Sequence, residues 1–213
     1  MAGSMPRSAP PVKVRTILRG AALAGAAAAV GVWSSTRRGR DLDERLFKAA
    51  NGRLGADADR MFQGVTELGS LYASGAAAIA LAAAGRRREA SRAIAAAGTT
   101  WLLGQGLKKA FERPRPYEAD EEGTRRMIGK PLGASWPSSH AAVIGAFVGV
   151  AGRELAVSRS ARAGLSALAA TVAASRTYLG VHFPSDGVGG FLLGRAVATL
   201  WPRGRGVTPD RGR

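Results

Sequence analysis

The chain has 213 residues, 31 Lys and Arg against 15 Asp and Glu, a formal net charge of +16 and no cysteine. That length supports one compact domain, the missing cysteine excludes disulfides, thiolate nucleophiles and cysteine-ligated zinc, and two histidines, His140 and His182, offer little to a histidine metal centre. The positive balance calls for an anionic partner; because the arginines fall in short clusters between apolar stretches, such as Arg86-Arg87-Arg88, a membrane surface or a phosphorylated substrate fits better than nucleic acid.

In chain order, residues 1–16 read as a basic tail, disordered over Met1 to Pro11. Gly20 to Thr36 is uncharged and dominated by alanine. It predicts an uncleaved first membrane span, because Trp33 and Arg37-Arg38 follow where a leader would carry a small-residue cleavage site. Asp41 to Leu54 predicts a short amphipathic helix at the membrane surface, with Leu42, Leu46, Phe47 and Leu54 on one face and charges opposite. Further uncharged runs cover Leu68 to Gly85, Ala93 to Leu107, Pro131 to Gly152 and Ala163 to Ser175, and Gly187 to Trp201 is interrupted only by Arg195.

A spanning helix needs about 20 mostly apolar residues. The first, second and fourth runs meet that length alone, and the others reach it with flanking residues that snorkel. The expected architecture is an all-α, polytopic bundle of about six transmembrane helices over residues 17–202, followed by a disordered basic tail from Arg203 to Arg213. A soluble alanine-rich bundle is the alternative, supported by a mean hydropathy of only −0.02. Glycines four apart, Gly145 with Gly149 and Gly190 with Gly194, suit close helix approach. With the N-terminus inside, the 108–130 and 175–186 segments fall outside, but Lys and Arg divide almost evenly, so charge alone does not orient the chain.

Three polar clusters stand where apolar runs end. The first is Lys108-Lys109-Ala110-Phe111-Glu112-Arg113-Pro114-Arg115-Pro116. Its prolines stiffen an extended segment that presents guanidinium groups suited to phosphate, although a basic stop signal beside a membrane reads the same way. The second is Trp136-Pro137-Ser138-Ser139-His140, a helix start that suits an anion and puts a histidine within reach of it. A capped helix with an interfacial histidine is the plainer reading. The third runs from Ser175-Arg176 to His182 and Asp186. A carboxylate that fixes one imidazole nitrogen leaves the other free as a nucleophile, although a structural His–Asp bond has the same spacing. Together the clusters hold a nucleophile, its orienting carboxylate, a proton donor and three cations, an inventory for phosphoryl transfer.

These clusters resemble the three signature motifs of the type 2 phosphatidic acid phosphatase family, which includes undecaprenyl diphosphate phosphatases and shares its motifs with vanadium haloperoxidases. Lys108 through Arg115-Pro116 matches the first, with Arg113-Pro114 a near duplicate; Pro137-Ser138-Ser139-His140 matches the second, with Ser139 where glycine is usual; Ser175-Arg176, His182 and Asp186 match the third. The resemblance implies that His182 attacks phosphorus, Asp186 orients it and His140 protonates the leaving oxygen. It also implies that Lys108, Arg115, Arg176, Ser138 and Ser139 hold the phosphoryl oxygens, with no metal or other cofactor. The implied activity is hydrolysis of a lipid-linked phosphomonoester or a polyprenyl diphosphate, in the cell membrane and with the site on the extracytoplasmic face. A vanadate-dependent haloperoxidase and a non-catalytic protein that binds anionic lipid are the alternatives.

Overall fold

The structure, a computed structural model, describes residues 14–204. The tail expected over Met1 to Pro11, and that from Arg203 onward apart from its first two residues, lie outside the described residues. Nine helices are present among them: α1 Val14–Ser34, α2 Arg37–Ala50, α3 Ala56–Glu67, α4 Leu71–Ala83, α5 Arg87–Phe111, α6 Pro116–Ala119, α7 Ser139–Glu154, α8 Arg159–Tyr178 and α9 Pro184–Leu200. The fold is all-α, with no strand among the described residues. α1 takes in Val14 to Thr16, the last residues of the segment read as tail. Several helix starts are set by hydroxyl caps: Thr36 accepts the Gly39 N–H, Ser70 that of Ala73 and Ser158 that of Ala161.

α7 is the central helix, buried along most of its length and packed between α9, α5 and α8, while α1 lies on α9. Small side chains make this possible. A Cβ on Gly194 would run into the Ala142 carbonyl oxygen and one on Gly190 into that of Ser138. The four-residue spacing of these glycines therefore serves backbone approach between α9 and α7. Val143, Ile144, Val150, Ala169 and Val172 fill the core beside them.

Two expectations need correction. Among the described residues only α1 is by itself long and apolar enough to cross a membrane; α3 and α4 pass together but meet at a 63° bend. The Leu68–Gly85 run holds a helix of 13 residues, and Pro131–Gly152 is helical only from Ser139 onward. Ser70 restarts the backbone as a side-chain N-cap of α4, and α7 starts after Ser138 in extended conformation, so helix starts divide what apolarity alone reads as continuous. In α2 the buried face is Gly39, Asp43 and Phe47, whereas Leu42, Leu46 and Leu54 are exposed and the helix stops at Ala50. A carboxylate takes the inward position because a buried arginine pairs with it.

The helices alternate in direction, which collects specific ends. The C-terminal ends of α5 and α8 and the N-terminal ends of α7 and α9 meet at one end of the bundle, with α2, α3 and the start of α4 around them. All three polar clusters lie there.

Candidate active site

The third cluster is held by two helix ends. α8 closes with the Gly180 N–H donating to the Thr177 carbonyl and the Val181 N–H to that of Arg176, both at 3.1 Å. This pattern needs a left-handed residue, supplied by Gly180 at φ +80°. α9 opens with Pro184 in its first turn, and the Asp186 carboxylate accepts the Phe183 N–H at 2.8 Å. His182 is the middle residue of the short link between these constraints and is 2% exposed.

Its two ring nitrogens face different chemistry. Nδ1 lies 3.4 Å from Asp186 Oδ2 and 3.4 Å from Ser135 Oγ. Nε2 lies 3.2 Å from Arg115 Nη1. A guanidinium only donates, so Nε2 keeps its lone pair and the ring proton sits on Nδ1, toward Asp186. Burial first, then the charges of Arg115, Lys108, Arg176 and His140, holds His182 well below the ordinary histidine value. The imidazole is therefore neutral at physiological pH, the state a nucleophile needs.

Three buried cations surround it. Arg115 donates from Nε to the Gly133 carbonyl at 2.9 Å and from Nη1 to that of Val181 at 2.8 Å. Lys108 donates to the Ala134 carbonyl, which Arg115 Nη2 also reaches. Arg176 Nη1 donates to Thr66 Oγ1 at 3.0 Å, but its Nε has no partner. Ser138 is the N-cap of α7, yet its buried Oγ makes no hydrogen bond. Buried polar atoms without partners are uncommon, and here they accompany cations that have no carboxylate of their own. This arrangement suits an anion with several oxygens. Ser139 Oγ turns toward α5, where Gln105 Nε2 lies at 3.4 Å. His140 is half-buried and feels the charges of Arg176, Arg115 and Lys108. The structure thus brings together Lys108, Arg115, Ser138, His140, Arg176, His182 and Asp186, with Ser139 at the edge.

Sequence reasoning missed the layer behind the histidine. Arg113 Nη1 donates to Asp186 Oδ1 at 2.8 Å and Nη2 to Asp43 Oδ2 at 2.7 Å. Asp43 also accepts the Ser185 N–H at 3.0 Å and the Ser185 hydroxyl. Ser135 Oγ donates to Asp186 Oδ2 at 2.5 Å. The duplicate Arg-Pro pairs of the first cluster therefore do different work: Arg115 faces His182, and Arg113 compensates the carboxylate behind it. Asp43 shares an i, i+4 register with Phe47, a signal that it faces inward. Ser135 and Thr66 carry no comparable signal.

Residues 89–207 match the model of the PAP2 superfamily. Among solved structures, a transmembrane PAP2 type phosphatidylglycerolphosphate phosphatase from Bacillus subtilis superposes with a TM-score of 0.69 at 24% identity, covering 85% of this chain and 93% of that one. LpxE of Aquifex aeolicus superposes with a TM-score of 0.64 at 28% identity, covering 72% of this chain and 90% of that one. Among curated protein sequences, none matches.

Proposed function

The chain belongs to the PAP2 superfamily, and from that premise we propose that it is a membrane phosphatase that hydrolyses a lipid-linked phosphomonoester or diphosphate through a phosphohistidine on His182. The observation that carries this reading is the divided environment of His182, with Asp186 at Nδ1 and the lone pair of Nε2 directed to the cation cluster.

In the first step Nε2 attacks phosphorus while the bond from phosphorus to the leaving oxygen breaks, and His140 gives that oxygen a proton. In the second, water gives a proton back to His140 as it attacks phosphorus, the bond from phosphorus to Nε2 breaks, and phosphate leaves with the His182 imidazole restored. Lys108, Arg115 and Arg176 hold the equatorial oxygens, where negative charge must be stabilised in the transition state. Asp43, Arg113 and Ser135 fix the Asp186 carboxylate that orients the nucleophile. In this reading the fixed cations Lys108, Arg115 and Arg176 take the electrostatic role. Vanadate, as a trigonal-bipyramidal mimic, is expected to inhibit.

The membrane setting is supported by α1 and by large apolar side chains left exposed, including Ile79 at 72% on α4 and Leu102 at 64% on α5. Six crossings, with the α3–α4 bend at the surface, agree with the alternating helix directions.

The test uses purified chain in detergent, with radiolabelled lipid phosphate and an activated aryl phosphate. Native protein is expected to give an acid-labile, base-stable phosphoprotein, and His182→Ala to give none and to turn over neither substrate. His140→Ala should lose about 10²–10⁴-fold on the lipid but keep most aryl turnover, because a good leaving group departs without a proton. Equal residual rates for both variants on both substrates would refute the assignment.

A further inference from the structure

The other end of the bundle holds a second concentration of positive charge that the proposed reaction does not use. A cavity of about 270 Å³ opens there between the start of α1, the ends of α7 and α9 and the start of α8. Arg19, Arg153, Arg162 and Arg195 line it together with the hydroxyl-bearing Ser166 and Thr199. Along α7 it lies about 18 Å from His140, taking 1.5 Å per residue from there to Gly152.

These arginines differ in how they are satisfied. Arg153 is committed: it pairs with Glu154 and donates to the Ala198 carbonyl at 2.7 Å. Glu154 is in turn shared with Arg92. For Arg19, Arg162 and Arg195 there is no carboxylate in ion-pair range among the described residues, and Arg19 and Arg195 lie close enough to repel each other. Arg195 is also the single charge in an otherwise apolar run, half-buried inside α9. An uncompensated guanidinium in that position is costly, and like charges held together at a polar cavity are relieved by an anion with several oxygens.

We propose that this cavity is a second anion site, binding a phosphate group at the end of the bundle opposite His182, either the headgroup phosphate of an anionic phospholipid or free phosphate. Arg19, Arg162 and Arg195 supply both the charge and the N–H donors, since the Ser166 and Thr199 hydroxyls already donate to the Arg162 and Arg195 carbonyls. The site is not catalytic, since it holds no histidine and no unpaired carboxylate among the described residues. Under the proposed topology it opens to the cytoplasmic leaflet, where anionic lipids attract basic residues.

The test measures the Tm of the purified chain in neutral detergent against phosphatidylglycerol, phosphatidylcholine or inorganic phosphate. Phosphatidylglycerol is a phosphodiester, so it reports binding without serving as a phosphomonoester substrate. A saturable Tm rise is expected with phosphatidylglycerol and none with phosphatidylcholine. An equal rise with inorganic phosphate that the Arg19→Gln/Arg195→Gln variant loses would assign the site to the free anion, and the absence of such a component would assign it to the lipid. The Arg19→Gln/Arg195→Gln variant should weaken that binding about tenfold while turnover of a soluble aryl phosphate stays unchanged. Arg162→Gln, at an exposed position that leaves packing intact, should weaken it in the same direction. Arg87→Gln, an exposed arginine at the same end of the bundle, should not. No saturable rise, or an equal loss in Arg87→Gln, would overturn the proposal by reducing the effect to general surface charge.

Discussion

Arg113 sits between two carboxylates, 8% exposed, with Asp43 on one side and Asp186 on the other. Its ring neighbour Phe183 lies 4.4 Å away, so little water reaches the group. In such a place the pair is worth less than the cost of breaking it, because removing one partner strands a buried charge. Asp43→Ala is therefore expected to destabilise the fold by about 3–5 kcal/mol, read as a lower Tm in detergent. The loss should exceed that of Asp57→Ala, whose carboxylate is 96% exposed and pairs with Arg60 in solvent. Equal Tm values for the two variants would contradict the buried bridge. The same network ties down the histidine link: the Ser185 N–H, the Ser185 hydroxyl and the Phe183 N–H all end on these two carboxylates.

At the scale of elements, glycine acts in opposite ways on neighbouring helices. In α9 it allows contact, since a Cβ at Gly194 meets the Ala142 carbonyl and, at 2.9 Å, the Ala146 nitrogen. In α8, Gly164 has nothing within 4 Å of where a Cβ would stand. Gly194→Ala should force α7 and α9 apart and cost about 1–3 kcal/mol. Gly164→Ala should gain about 0.5–1 kcal/mol by limiting backbone freedom in the unfolded chain. Thermal unfolding of the two variants reads both signs at once, and a stabilised Gly194→Ala would remove close backbone approach as the basis of this packing. α2 follows the same logic in polar terms: its inward stripe is Gly39, Asp43 and Phe47, chosen by what faces it and not by apolarity.

For the whole molecule, alternating helix directions put the polar clusters at one end and the arginine cavity at the other. The apolar side chains on α1, α4 and α5, such as Ile17, Leu18, Ile79 and Leu102, are left facing outward between them. That distribution predicts an orientation that can be read directly. The chain has no cysteine, and Gly129 is exposed, in the loop beside the His182 end of the bundle, with nothing near its Cβ position. A Gly129→Cys variant should react with an impermeant thiol reagent in intact cells if the His182 end faces outside. Labelling only after lysis would reverse the topology and place the arginine cavity outside instead.

The sequence by itself determined the helical class and the three polar clusters, because apolar runs dictate helices and the spacing of the motifs is local. Arg176 in the last turn of α8, His182 in the link and Asp186 in the first turn of α9 are close in sequence, and short-range hydrogen bonds through Gly180 and Phe183 arrange them. Motif spacing had already singled out Arg115, but only the tertiary structure assigned Arg113 its place between Asp43 and Asp186. It alone brought in Asp43, 70 residues away from Arg113, along with Ser135 and Thr66. Burial of a charge is settled by the group that comes to meet it, and that group comes from another part of the chain.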